Sequence, residues 1–453
     1  MKKIPALALL AACLCLTGCP NKDKTKPGPE PLPDDVVEVR LPHNMNDKAQ
    51  DYNVQFHFDD AYFQADARQF NKDLALLSLG NTFTTASSIF VGQFYDRLGF
   101  ENVIYGNYSI TPTEDTIGYS FAHKKIGDSD VIAVCVRGFN YGKEWSNNFL
   151  MGSEGNHEGF DTAANQIYNH LKNEVEVHDY QNLKLWITGY SRGGGVSNVL
   201  SQKILSSTEF TVEQENMFVY TFEAPRGLTQ ANAMPYANVF NIINNADLVT
   251  YVAPEQYGLY RCGVDQQIYT ASSNISRLLY EFDKDIVIPE YTPVNNCANE
   301  QEYISYLINE ITKELDTSDP TNASMTAHTR EDYVNNYQSG LRYMMGLFFS
   351  LNSSTTNKIM DRLSQMDAYQ MGLLLGDDGF YNFLKPMLDE DDVSYNDAEL
   401  KTNCAVITKL LRNNILLLTS LLGSSGGMDN IKRILYMHAP EVEYVLLKDL
   451  KIY

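Results

Sequence analysis

The chain reads as an α/β protein, a central and mostly parallel β-sheet followed by a C-terminal helical extension. Three observations carry this expectation. Residues 130–136 (DVIAVCV) are almost purely apolar, as in a parallel strand covered on both faces. Residues 183–195 (LKLWITGYSRGGG) run from β-formers through a glycine-flanked turn into small, helix-compatible residues. Strand-like and helix-like runs alternate up to about Gln266, whereas amphipathic helical patterns dominate from Glu300 to Tyr453.

The first stretch is not part of that fold. Met1-Lys2-Lys3, an apolar run from Ile4 to Leu16 and then Leu16-Thr17-Gly18-Cys19 have the form of a bacterial secretion signal ending in a lipobox. The apolar run is shorter than the ~18 residues a membrane span needs. Residues 1–18 are therefore read as a lipoprotein signal peptide, and Cys19 as the lipid-modified anchor that holds the chain to a membrane without crossing it. Residues 19–35, rich in Pro, Lys and Asp, read as a solvated tether. The expected location is the bacterial cell envelope, lipid-anchored at the periplasmic or surface face of the outer membrane. Residues 36–339 are assigned to the α/β domain and 340–453 to a helical extension packed on it.

The formal charge of the 453 residues is −22, and losing Lys2 and Lys3 makes it more negative still. Such a surface repels nucleic acid and anionic headgroups, so no nucleic-acid partner is expected. Past the anchor, Cys135, Cys262, Cys297 and Cys404 match no metal-site spacing. Cys135 lies within an apolar strand and reads as a buried thiol. Cys262 and Cys297 are the pair expected to cross-link, if any do, in an oxidising compartment.

In chain order, residues 53–63 and 116–125 alternate like strands and serve as the expected first strands of the sheet, with a helical stretch at 74–98 between them. The run 130–136 ends at Arg137-Gly138-Phe139. Residues 157–172 carry Phe160, Ala163, Ala164, Ile167, Tyr168 and Leu171 at helical spacing. Strands at 217–222 and 238–243 follow, ending at Glu223-Ala224-Pro225 and Asn244-Asn245-Ala246-Asp247. The apolar run 415–422 is too short to span a bilayer.

In open α/β sheets, reactive groups gather at the carboxyl ends of the strands. Gly189-Tyr190-Ser191-Arg192-Gly193 stands at such an end with the spacing of a nucleophile elbow, in which a serine occupies a strained turn between strand and helix. A serine hydroxyl needs a base to take its proton and a carboxylate to orient that base. Asp247 closes the next strand but one and is the expected acid. Only His328 and His438 follow it, and His328, in a loop-like stretch, is preferred as base; His438 reads as a structural or capping group at a helix end. Backbone N–H groups of Arg192 and Phe139 are the expected donors to a developing oxyanion. No metal or organic cofactor is called for.

The same segments resemble the class-three, fungal-type lipases of the α/β-hydrolase fold, in a bacterial lipoprotein form. The matching pieces are VIAVCVRGFN followed by Trp145, HEGFDTAA, WITGYSRGGG, VYTFEAPRG, NIINNADLVTYVAP with Tyr257-Gly258, and AHTREDY, covering about 63–337. The resemblance implies a serine esterase or triacylglycerol lipase that acts on lipid or other carboxylic esters through an acyl-enzyme. It puts nucleophile, acid and base on Ser191, Asp247 and His328. The chain departs from the family at Phe139, where Ser or Thr is usual, and at Tyr190, where His is usual. Other readings are a phospholipase or other acyl transferase, and a non-catalytic envelope binding protein on the same scaffold. The run Met344, Met345, Leu347, Phe348 and Phe349 is read either as a wall for an acyl chain or as ordinary helix packing.

Overall fold

The structure, a computed structural model, describes residues 32–41, 52–108, 113, 116–139, 142–312, 329–414 and 426–451. The expected signal peptide, Cys19, most of the tether, His328 and the run 415–422 lie outside those residues.

Two short strands, β1 (Val36–Leu41) and β2 (Tyr52–His57), pair antiparallel as a sheet of their own. This corrects the expectation that residues 53–63 open the central sheet. Past His57 the Asp59 side chain caps a 3-10 turn, Asp60–Gln64, so the alternating pattern ends early. Two helices follow, α1 (Lys72–Thr84) and α2 (Ser88–Arg97), capped by the side chains of Asn71 and Ser87.

The central sheet takes β3 (Glu101–Gly106), β4 (Tyr119–Ile126), β5 (Ser129–Val136), β6 (Lys184–Tyr190) and β7 (Met217–Phe222). Across a small ribbon of β8 (Leu228–Thr229) and β10 (Leu259–Tyr260), it continues into β9 (Val239–Ile243) and β11 (Val264–Gln267). Its seven strands lie in the order β11-β9-β7-β6-β5-β4-β3. From β5 to β11 every neighbour is parallel, while β3, β4 and β5 pair antiparallel. This is the sheet of an α/β-hydrolase fold, with β3 and β11 the strands of it that the sequence pattern did not signal.

Residue parity along β5 shows why its sequence is apolar throughout. Ile132, Val134 and Val136 point into one core layer with Leu185, Ile187 and the helices α3 (Glu158–His178) and α4 (Arg192–Ser206). Val131 and Ala133 point into the other, with Trp186, Tyr220 and residues of α1 and α2. Each Leu or Ile so enclosed contributes about 1.5–3 kcal/mol.

The C-terminal third divides in two. Helices spanning 338–350, 353–364, 379–390 and 397–413 enclose a separate core of Met344, Leu347, Phe348, Ile359, Leu384 and Leu400. By contrast Tyr436, Val442, Val445 and Leu447, from the last two described helices Gly427–Tyr436 and Pro440–Asp449, join the core of the sheet itself. The packing boundary therefore does not fall at residue 340. All four described cysteines are free and buried. Cys262 sits in the sheet core and Cys297 in a different apolar cluster, which corrects the expected cross-link.

Candidate active site

Ser191 lies where β6 meets α4. Leu185, Trp186, Ile187 and Thr188 are fully buried, and the Trp186 indole N–H donates to Ser78 at 2.7 Å, so the strand is fixed up to the turn. Ser191 takes φ +55° and ψ −126°, a region costing about 1–3 kcal/mol that persists only where surroundings impose it. Here they do: the Ser191 N–H donates to the Phe222 carbonyl at 2.8 Å, and Gly195 N–H donates to the Ser191 carbonyl at 3.0 Å. A Cβ on Gly189 would stand 2.2 Å from the Gly193 carbonyl oxygen, so only glycine lets strand and helix pass.

His438, read from the sequence as a helix-end cap, stands beside this serine. Its Nε2 is 2.8 Å from Ser191 Oγ and its Nδ1 is 2.6 Å from Asp247 Oδ2. The sequence preferred His328, which lies outside the described residues; the place beside Ser191 that a base would occupy holds His438. Pro440 begins the next helix directly after Ala439 and the fixed proline φ separates the two helices. The short link so formed reaches the strand ends. Three anchors hold it there. The Tyr190 hydroxyl donates to the His438 carbonyl at 2.8 Å. Asn244 Nδ2 donates to the Met437 carbonyl at 3.2 Å. Arg433, fully buried one turn earlier, donates to Glu300 and to the Pro289 carbonyl, each at 2.7 Å, and to the Ser272 carbonyl at 3.1 Å.

Asp247 is where the sequence put it, in the turn that follows β9, and is fully buried. Its Oδ1 accepts from the Val249 N–H at 2.8 Å, which leaves Oδ2 for the imidazole. With Nδ1–H directed at Asp247, Nε2 is an acceptor facing the serine hydroxyl. Such a line can take the hydroxyl proton as the oxygen attacks an acyl carbon.

The two expected oxyanion donors flank the serine turn. Arg192 opens α4, so its N–H lies at the positive end of the helix dipole. A Cβ on Gly138 would lie 2.1 Å from the Tyr190 carbonyl oxygen, so the Gly138-Phe139 backbone runs directly against the turn. The Phe139 ring packs on Tyr190 at 4.7 Å between centroids and on Phe83 at 5.9 Å. Below them Glu144, fully buried, binds Arg137 and lies 3.6 Å from the Arg192 guanidinium. One carboxylate thus ties the loop after β5 to the start of α4.

Sequence reasoning missed a second acidic group behind Asp247. Glu223, Glu441 and Glu443 are all fully buried. Burial, with neighbouring carboxylates, pushes Glu223 well above the usual range and Glu443 up to about 8. The local signal was acids at a strand end and acids just after His438-Ala439-Pro440, but composition alone reads such residues as solvated. His157 and His123 hold structural places. His157 caps α3, stacks on Phe160 at 4.0 Å and is driven down to about 3 by burial; His123 Nε2 pairs with Asp130 at 2.8 Å. Among the described residues no cluster is suited to hold a metal ion.

Residues 132–257 match the family model for Lipase (class 3). Among curated proteins no relative matches. Several solved structures are similar in fold. The lipase of a fungal lipase–inhibitor complex has 17% identity over 45% of this chain and 81% of its own, with a TM-score of 0.36. The triacylglyceride lipase of Rhizomucor miehei has 17% identity over 45% and 81%, with a TM-score of 0.33. Lipase II from Rhizopus niveus has 16% identity over 48% and 84%, also with a TM-score of 0.33.

Proposed function

We propose that this lipase-like ester hydrolase cleaves carboxylic esters, triacylglycerols among them, through an acyl-enzyme on Ser191, with His438 as base and Asp247 as its orienting acid. The observation that carries the reading is the continuous line from Ser191 Oγ through His438 to Asp247, at 2.8 and 2.6 Å. His438 takes the serine proton as Oγ attacks the acyl carbon, then returns it to the departing alcohol; water repeats the sequence to free the acid. Asp247 holds the Nδ1–H tautomer and stabilises the imidazolium. The negative oxygen of the tetrahedral intermediates is received by the N–H groups of Arg192 and Phe139, a pair of which each member is worth about 100- to 1,000-fold in kcat.

The substrate is a lipid or other ester, and no cofactor takes part. We further propose that Cys19 carries a lipid anchor, which would hold the enzyme at the bacterial envelope surface where such substrates lie.

The test is labelling by a fluorophosphonate together with hydrolysis of a nitrophenyl ester. Ser191→Ala should abolish labelling and lower kcat by about 10^4- to 10^6-fold. His438→Ala should do nearly the same, while His328→Ala stays near wild type. Loss in His328→Ala with retention in His438→Ala would reverse the assignment of the base.

A further inference from the structure

Two acids behind Asp247 have no part in the proton path from Ser191 to His438. Glu223 follows β7 at φ +47°, in the left-handed region that side chains other than glycine, asparagine and aspartate seldom adopt. Its N–H donates to the Ile242 carbonyl at 3.0 Å, and its Oε1 accepts from the Asn244 N–H at 3.0 Å. The carboxyl is thereby directed inward, within hydrogen-bonding reach of both Asp247 and Glu443. Glu443 arrives from the first turn of helix Pro440–Asp449, the helix that starts two residues after His438. Glu223 Oε2 and both Glu443 oxygens meet no donor among the described residues. The groups facing the pair are Asp247 from the turn after β9, Tyr190 from the end of β6 and Tyr251 from the turn after Asp247. They are one acid and two neutral phenols.

Carboxyl groups in mutual contact, buried and facing a further acid, do not all ionise, and two acceptor oxygens in contact require a proton between them. We propose that Glu223 is a positioning residue of the catalytic line: with both glutamates protonated, the Glu443 O–H donates to Glu223 and the Glu223 O–H donates to the Asp247 carboxylate, steadying the group that holds His438. The proposal rests on the ester-hydrolase reading above. Burial raises Glu443 to about 8 and Glu223 well above its usual range, so both protons stay through neutral pH. Above that, Glu443 gives its proton to solvent, the pair gains one negative charge and the Glu223 O–H turns from Asp247 to the new carboxylate. Asp247 then loses a donor and meets a new like charge, its hold on His438 Nδ1 loosens, and kcat falls. KM changes little, because neither glutamate touches the ester.

The experiment compares pH profiles of kcat for wild type, Glu223→Ala, Glu223→Gln and Glu443→Gln, with Ser191→Ala alongside. Glu223→Ala should lower kcat by about 10- to 100-fold, the worth of one hydrogen bond to a charged group, with KM within about threefold. Glu223→Gln, whose amide donates without ionising, should restore kcat near pH 7 and abolish the decline above pH 8. Glu443→Gln, which cannot ionise, should remove that decline as well. An infrared difference spectrum should show a protonated-carboxyl C=O band at pH 7 that is weaker in Glu223→Gln and in Glu443→Gln. A wild-type protein without that band, or a Glu223→Gln protein no more active than Glu223→Ala, overturns the proposal. Ser191→Ala keeps the two readings apart: if it retains turnover, the ester-hydrolase line itself fails, whereas the infrared band tests the proton pair regardless of activity.

Discussion

Replacing Glu443 by glutamine removes an ionisable group that folding takes wholly out of water, and the effect on stability has a definite sign. The carboxyl rises from 4.5 in an unfolded chain to about 8 in the fold, so the folded state binds its proton more tightly. Its favourable contribution is complete below pH 4.5 and is lost progressively as pH rises to about 8, at no more than about 1.4 kcal/mol per pH unit. Between pH 5 and pH 8 the wild type should thus lose on the order of 4 kcal/mol that Glu443→Gln does not. At about 2–4 °C per kcal/mol for a large domain, the melting temperatures of the two proteins should diverge by roughly 10 °C over that interval. The assay is differential scanning fluorimetry in half-unit steps from pH 5 to 8.5, with the difference between the two curves as readout so that other titrating groups cancel. Parallel curves would refute the reasoning, since they would mean that Glu443 is ionised in the folded protein at neutral pH.

Tyr190→Phe removes the donor to the His438 carbonyl and keeps the ring; kcat should fall about 3- to 10-fold with KM nearly unchanged, as measured by steady-state kinetics on a soluble ester. Phe348 packs into the core of the helical region, so Phe348→Ala should cost about 3–5 kcal/mol in denaturant unfolding and should not discriminate between acetate and long-chain esters. Cys19→Ser should block incorporation of labelled fatty acid and release the protein from the membrane fraction.

How much the sequence disclosed depended on how local each determinant is. Ser191 was readable because every requirement of its turn, from β-formers to paired glycines, lies within about ten residues. Asp247 needed only the rule that strand ends carry function. His438 was not readable, because its value comes from where two helices land: buried Arg433 and the Tyr190 and Asn244 bonds bring it to a serine 247 positions away. Helix periodicity sees only a histidine at a helix tail. Glu223 and Glu443 were hidden for a related reason, since acidic side chains usually mark solvent, and their burial follows from a positive φ and a helix packed across the strand ends. Residues 53–63, which hold β2, were mistaken for a central strand because alternation fixes a strand but not its partners.

The order in which the line is assembled along the chain has a consequence for timing. Ribosomes make Ser191 first and Asp247 next, and another 191 positions pass before His438 appears. The sheet, α1 to α4 and both oxyanion donors are complete long before then. A nascent or clipped chain ending anywhere between those points would carry a poised hydroxyl with nothing to take its proton. On the proposed mechanism the protein is thus latent by order of synthesis, and its activity would report that the segment around His438 has docked.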